Sequence, residues 1–213
     1  MKITTTVTGP FQENCYLVVD AESGHAVIID PGADGARLSE VIRRAGVQLQ
    51  AVWLTHAHVD HIGAVAAMVR DFGTPVYLHP ADLPMYERGV DAARLYDLPF
   101  EVPPPPDHEF ADGDELALGG LRFRVMCAPG HAPGHVVIHG EGVAFVGDCL
   151  FAGSIGRTDL PLSNGAELER SLARIVGLPD ETVVYPGHGP STTIGAELRS
   201  NPFLTGVARP VKR

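Results

Sequence analysis

The chain has 213 residues, 45% of them hydrophobic and 20% charged, a balance that supports a packed core and argues against intrinsic disorder. A formal charge of −10 argues against a nucleic-acid partner, because phosphate binding needs clustered Lys and Arg, and no apolar run approaches membrane-spanning length. Cys15, Cys127 and Cys149 are far apart and form no Cys-x-x-Cys pair, so they read as small buried apolar side chains rather than a disulfide framework or a thiolate site.

Strand-like runs come first, at Ile3–Thr8, Cys15–Val19 and Ala26–Asp30. Asp34 then stands where it can cap a helix with Leu38, Val41, Ile42 and Ala45 on one face. A strand over Ala51–Thr55 runs into Thr55-His56-Ala57-His58-Val59-Asp60-His61. A strand carrying His56 and His58 puts both imidazoles on one side, since strand side chains alternate with period two. Asp60 and His61 then open a helix, whose positive dipole end suits a carboxylate. The stretch has the makings of a site for two divalent metals side by side.

The helix continues with Ile62, Val65, Ala66, Val69 and Phe72 at helical spacing, and a short strand follows at Pro75–His79. From about Ala81 to Asp107 a short helix leads into Pro103-Pro104-Pro105-Pro106, which favours a polyproline II spacer. Because motif residues lie on both sides, it reads as a cross-over within one domain spanning residues 1–213. Further strands are expected at Leu121–Cys127, His135–His139, Val143–Val146 and Thr182–Tyr185. Asn164 and Glu167 form a capping-box-like pair before a helix with Leu168, Leu172, Ile175 and Val176 on one face, and a last helix is expected from Ile194 to Arg199. Arg209, Lys212 and Arg213 read as a frayed basic tail. The pattern points to an α/β fold, a four-layer α/β/β/α sandwich of two mixed sheets with outer helices.

Three further candidate ligands sit in glycine-marked turns after strands: His131 in Pro129-Gly130-His131, Asp148 after Gly147, and His188 in Pro186-Gly187-His188. A ligand at a rigid strand end beside a glycine lets the backbone approach a metal closely. Five histidines and two aspartates suit zinc, iron or manganese.

These motifs, in this order, resemble the metallo-β-lactamase-fold superfamily and within it the glyoxalase II-like (hydroxyacylglutathione hydrolase-like) branch. The segment Gly153–Asp159 and the run Asn201-Pro202-Phe203-Leu204 add to the likeness. The resemblance implies two divalent metal ions, zinc first, with iron or manganese as alternatives. One would be held by His56, His58 and His131, the other by Asp60, His61 and His188, with Asp148 bridging. Asp30 would support the site by accepting a ligand histidine's ring N–H. The implied activity is hydrolysis of a small-molecule thioester, such as an S-acyl-glutathione of the S-lactoylglutathione kind, by attack of a metal-bridging hydroxide. Asp60 and Asp148 would be the catalytic carboxylates. With no signal-peptide h-region at the N-terminus and no membrane-spanning run, the expected setting is cytoplasmic, with no membrane partner. The larger enzymes continue after the last histidine into a helical region that helps clamp glutathione, where 25 residues follow His188 here.

Two enzymatic alternatives share the motifs. One is a mononuclear iron persulfide dioxygenase using His56, His131 and Asp148; the other is a lactonase or β-lactamase. His135 reads as a supporting or packing residue, and His25, His79, His108 and His139 as structural or solvated. Arg157 and Asp159 are placed to brace their loop or to touch substrate.

Overall fold

The computed structural model describes residues 1–208. Strands β1 (Lys2–Thr8), β2 (Glu13–Val19) and β3 (His25–Ile29) form an antiparallel meander. Helix α1 (Gly35–Ala45) then crosses to β4 (Gln48–Trp53), parallel to β3. Helices α2 (Val59–Ile62) and α3 (Val65–Phe72) precede β5 (Val76–Leu78). A 3₁₀ turn (Pro80–Asp82), α4 (Leu83–Glu87) and α5 (Gly89–Leu95) lead through the prolines to β6 (His108–Glu109), parallel to β5. The first sheet has the order β1-β2-β3-β4-β5-β6. The second half supplies β7 (Glu115–Leu118), β8 (Leu121–Cys127), β9 (Val136–Gly140) and β10 (Val143–Gly147). A short hairpin of β11 (Leu150–Phe151) and β12 (Ser154–Ile155) precedes α6 (Gly165–Ile175), β13 (Val183–Pro186), β14 (Thr192–Thr193) and α7 (Ile194–Ser200). The second sheet has the order β14-β13-β10-β9-β8-β7.

The strand sequences explain the layering. Along β2, Cys15, Leu17 and Val19 pack with Leu38 and Ile42 of α1 and Val65 and Met68 of α3. The intervening Tyr16 and Val18 face Phe123, Ile138 and Phe145 of the other sheet. In β10, Val143 and Phe145 point between the sheets, whereas Ala144 and Val146 meet Leu168, Leu172 and Ile175 of α6. Strands buried on both faces read as continuous apolar runs rather than alternating ones. Three apolar layers therefore separate the four layers expected from the sequence. Among the described residues no helix is long and apolar enough to cross a membrane.

Several local expectations change. Asp34 precedes α1 at φ +56° but makes no side-chain cap; its carboxylate accepts the Gly9 N–H at 3.2 Å. The helix expected to run through Ile62 to Phe72 breaks at Gly63–Ala64, where the chain lies against the Pro31-Gly32 turn. Ala64 N–H donates to Pro31 at 2.9 Å, and a Cβ on Gly63 would lie 2.3 Å from the Gly32 carbonyl. The strand expected to carry His56 and His58 ends at Trp53. Beyond it, the Thr55 and Ala57 N–H groups donate to the carboxylates of Asp30 (2.7 Å) and Asp82 (2.9 Å) instead of a neighbouring strand. The Pro103–Pro106 run does cross over: Tyr86 Oη donates to the Pro104 carbonyl at 2.8 Å, and Asp107 N–H re-enters the first sheet at Val76. The basic tail of Arg209, Lys212 and Arg213 lies outside the described residues.

Candidate metal centre

The site lies at one end of the sandwich, at the carboxyl ends of strands from both sheets. β3 ends at Asp30, β4 runs into the His56–His61 segment, and β8, β10 and β13 run into His131, Asp148 and His188. All seven predicted ligands converge. His56, His58 and His131 form one group and Asp60, His61 and His188 another; within each group the potential ligand atoms lie within 4.8 Å of one another. Asp148 stands between them. One carboxylate oxygen is 3.5 Å from His61 Nε2, and the other is 3.4 Å from His131 Nε2 and 3.5 Å from His188 Nε2. His25, His79, His108 and His139 belong to no such group among the described residues.

Ring geometry assigns the tautomers. His61 Nδ1 donates to Asp30 Oδ2 at 3.0 Å, His131 Nδ1 to the Arg157 carbonyl at 2.9 Å, and His188 Nδ1 to the Phe11 carbonyl at 3.1 Å. His56 Nδ1 donates to Thr55 Oγ1 at 3.0 Å, and that hydroxyl donates to Asp30 Oδ2 at 2.6 Å. In all four rings the outward nitrogen faces a protein acceptor, which leaves Nε2 aimed inward. His58 instead presents Nδ1, 3.0 Å from His56 Nε2.

A cation fits this donor set on the structure's own terms. His61 Nε2, His131 Nε2 and Asp148 Oδ1 are buried and have no hydrogen-bond partner. Orphaned buried polar atoms cost about 1–3 kcal/mol each, so three aimed at one space call for a ligand. The electrostatics differ between the trios. Burial works against protonation of His61 and His188, but the Asp148 and Asp60 carboxylates raise His61 well above the usual imidazole range and raise His188 as well, so the second trio binds a cation in exchange for protons. Burial, reinforced by neighbouring imidazoles, holds His56 well below the usual imidazole range and brings His58 down to about 3. Burial also lowers His131, against the pull of Asp148. These three rings are neutral near pH 7 and bind a cation without first releasing a proton. Burial pushes the Asp60 and Asp148 carboxyls up, but the nearby histidines outweigh it and hold both below the carboxylate range. Both remain charged.

The glycines of the ligand turns give that approach its room. A Cβ on Gly187 would fall 2.2 Å from Asp148 Oδ1 and 2.7 Å from His61 Cε1. Gly147, at φ +45°, would press 2.4 Å against Thr55 Oγ1. His135 is not placed to bind: its Nε2 accepts the Asp148 N–H at 3.0 Å while its ring stacks on His56 at 4.8 Å. Cys149 Sγ turns away to the Ala128 carbonyl. Arg157 and Asp159 form a two-bond ion pair at 2.6 and 2.8 Å.

Two buried carboxyls escape the sequence reading. Glu13 accepts from Thr8 Oγ1 at 2.8 Å, and burial raises its pKa well above the usual carboxylate range. Asp82 accepts the N–H groups of Ala57 and Gly134 at 2.9 and 2.5 Å. Asp82 carried one signal, its place before a short helix, but that signal indicates a cap, which its side chain does not make.

A two-sheet sandwich with a histidine- and aspartate-lined centre at its strand ends defines a class of metal-dependent proteins. Comparison gives the family: the chain belongs to the metallo-beta-lactamase superfamily, whose family model matches residues 8–188. It is 39% identical to hydroxyacylglutathione hydrolase GloC of Haemophilus influenzae over 96% of this chain and 98% of that protein. Two solved structures are similar. BLEG-1 B3 metallo-beta-lactamase has TM-score 0.90 and 41% identity, over 96% of this chain and all of that one. TTHA1623, solved in a di-iron-bound form, has TM-score 0.87 and 46% identity, over 94% of this chain and all of that one.

Proposed function

We propose that the protein is a binuclear-metal-dependent hydrolase of thioesters, with an S-acyl-glutathione of the S-lactoylglutathione kind as the leading substrate. The observation that carries the reading is the inward set of lone pairs on five imidazoles and two carboxylates, split into two trios with Asp148 between them. His56, His58 and His131 would hold one cation, Asp60, His61 and His188 the other. When bound, such cations act as Lewis acids on a carbonyl oxygen and lower the pKa of water towards ~7.

The chain's own groups then divide the work. Asp60, with about a fifth of its side chain exposed, keeps its charge and can accept a hydrogen bond from the attacking water, aiming it at the acyl carbon. Asp148 joins the two trios. A cleft of about 840 Å³ reaches Asp60 from outside, past Pro10, Phe11, Val59 and Phe100. Its largely apolar wall suits the acyl or carrier portion of a small molecule.

The leaving group distinguishes the chemistries. Both carboxylates at the centre are held low, and a nearby carboxyl whose pKa is raised, Glu13, is fully buried in β2. Among the described residues no carboxylic acid is poised to protonate an amine as it departs. A thiolate, with a conjugate acid of pKa ~8.5, needs little such help. The similarity to GloC supports the same class. Zinc leads for the metal because imidazole and carboxylate are common zinc ligands; the di-iron form of TTHA1623 supports iron in the same role. A cytoplasmic setting and a small-molecule partner belong to the same reading.

The test is metal quantification of the purified protein together with a panel of thioesters, lactones, β-lactams and glutathione persulfide. Two metals per chain and selective thioester turnover are expected. One iron per chain with oxygen consumption on the persulfide, or no thioester turnover in a fully loaded preparation, would overturn the proposal.

A further inference from the structure

The His56–His58 segment and the loop carrying His131 come from different sheets and are joined at their bases by a backbone hydrogen bond, Val136 N–H to the Thr55 carbonyl at 2.8 Å. Nearer the rings a side chain spans them as well. Asp82 lies at the end of the 3₁₀ turn and is fully buried. Its Oδ2 accepts the N–H of Ala57, the residue between His56 and His58, at 2.9 Å. Its Oδ1 accepts the N–H of Gly134, three residues after His131, at 2.5 Å. Among the described residues no Lys, Arg or His pairs with it, so the two amides are its whole polar environment. The fit is close on the other side as well. A Cβ on Gly134 would lie 2.7 Å from Asp82 N and 3.0 Å from its Cβ and Cγ. Burial raises the Asp82 carboxyl to about 6, and the two amides pull against that rise. A buried carboxylate without a cation is costly to keep. What it supplies here is a pair of acceptors on one rigid plane, each directed at a different ligand loop.

We propose that Asp82 is a positioning residue for the first cation trio: its carboxylate bridges the backbones of the two loops that carry His56, His58 and His131 and so sets the separation of those rings. The inference rests on the metal-binding reading above but concerns one trio selectively. Asp82 contacts neither Asp60 nor His61 nor His188. The cross-over segment that begins with it contributes no ligand of its own, yet through this residue it would control how tightly one cation is held.

The experiment is zinc release from the full-length, zinc-loaded protein to a chromophoric chelator, with thermal melting followed in parallel. Asp82→Asn keeps the shape but turns an amino group towards one of the two N–H donors. Gly134→Ala attacks the same contact from the opposite loop. Either variant should release one zinc about 10–100-fold more readily while the second is retained, the range typical of lost outer support to a metal ligand. Leu38→Ala, a core change in α1 that removes no hydrogen bond to the centre, serves as the destabilised control and should leave both zincs in place. In a His58→Ala background, where the first trio is already broken, Asp82→Asn should add nothing; in a His61→Ala background it should act in full. Wild-type release from both Asp82→Asn and Gly134→Ala, equal release in Leu38→Ala at matched melting temperature, or an undiminished effect in the His58→Ala background would overturn the proposal. A wild type that binds a single zinc would undo the two-cation reading instead, and Asp82 would then be judged on the release of that one ion.

Discussion

The two halves of the centre hold their ligands by opposite means. In the first half, four ligands lie within six residues, and buried carboxylates shape the segment: Asp30 takes the Thr55 backbone and hydroxyl and the His61 ring, and Asp82 takes Ala57. In the second half, His131, Asp148 and His188 arrive singly at strand ends. There the Arg157 and Phe11 backbone carbonyls orient His131 and His188, the His135 ring accepts the Asp148 N–H, and glycines clear the space. A dense ligand segment needs side-chain acceptors because no strand neighbour takes its Thr55 and Ala57 N–H groups. Isolated ligands inherit rigidity from the sheet and need only room. The first half should therefore fail when an acceptor is lost, and the second when volume is added.

Removing what joins the halves should cost most. Asp148→Ala deprives both trios, and a loss of about a thousandfold or more in kcat/KM is expected, equal to several kcal/mol of transition-state stabilisation. Wild-type-like turnover at matched metal content would sink both the mechanism and the contrast. Gly187→Ala adds volume from the second half, where its Cβ would press on Asp148 Oδ1 and also lie 2.7 Å from His61 Cε1. A displacement approaching 1 Å at a ligand costs about a hundredfold in rate. Metal titration and steady-state kinetics should show that loss with little change in thermal stability.

The first half is probed by charge. The folded-state pKa of Asp82 is raised from 3.8 to about 6, so folding favours its neutral form. Its favourable contribution is complete below about pH 4 and is lost as pH rises through about 6, by roughly 3 kcal/mol at most. Urea unfolding in chelator should show wild type losing that much relative to Asp82→Asn between pH 4 and pH 7; parallel curves would refute it. Asp30→Asn should be milder, since asparagine tolerates the φ of +49° found there and keeps one acceptor. A 10- to 100-fold fall in metal affinity is expected from calorimetric titration. The smallest effect belongs to Arg157→Ala. The Arg157–Asp159 pair is largely exposed, and the Arg157 carbonyl that orients His131 survives the substitution. A stability change within about 1 kcal/mol by denaturant titration is expected.

The sequence by itself determined the sandwich and brought forward the seven candidate ligands. Continuous apolar runs such as Tyr16–Val19 and Val143–Val146 require burial on both faces, and histidines or aspartates beside glycine at strand ends have few other uses. Only the tertiary structure decided how the ligands are held. A strand was the natural reading for His56 and His58, because period-two spacing fits one; the chain leaves the sheet there because distant carboxylates capture its amides. Asp82 lies 25 residues from Ala57 and 52 from Gly134, and Glu13 sits unmarked in an apolar strand, so no local pattern reports either. Ligand identity follows from side-chain chemistry and spacing, which are local, whereas ligand orientation depends on acceptors that only folding brings within reach.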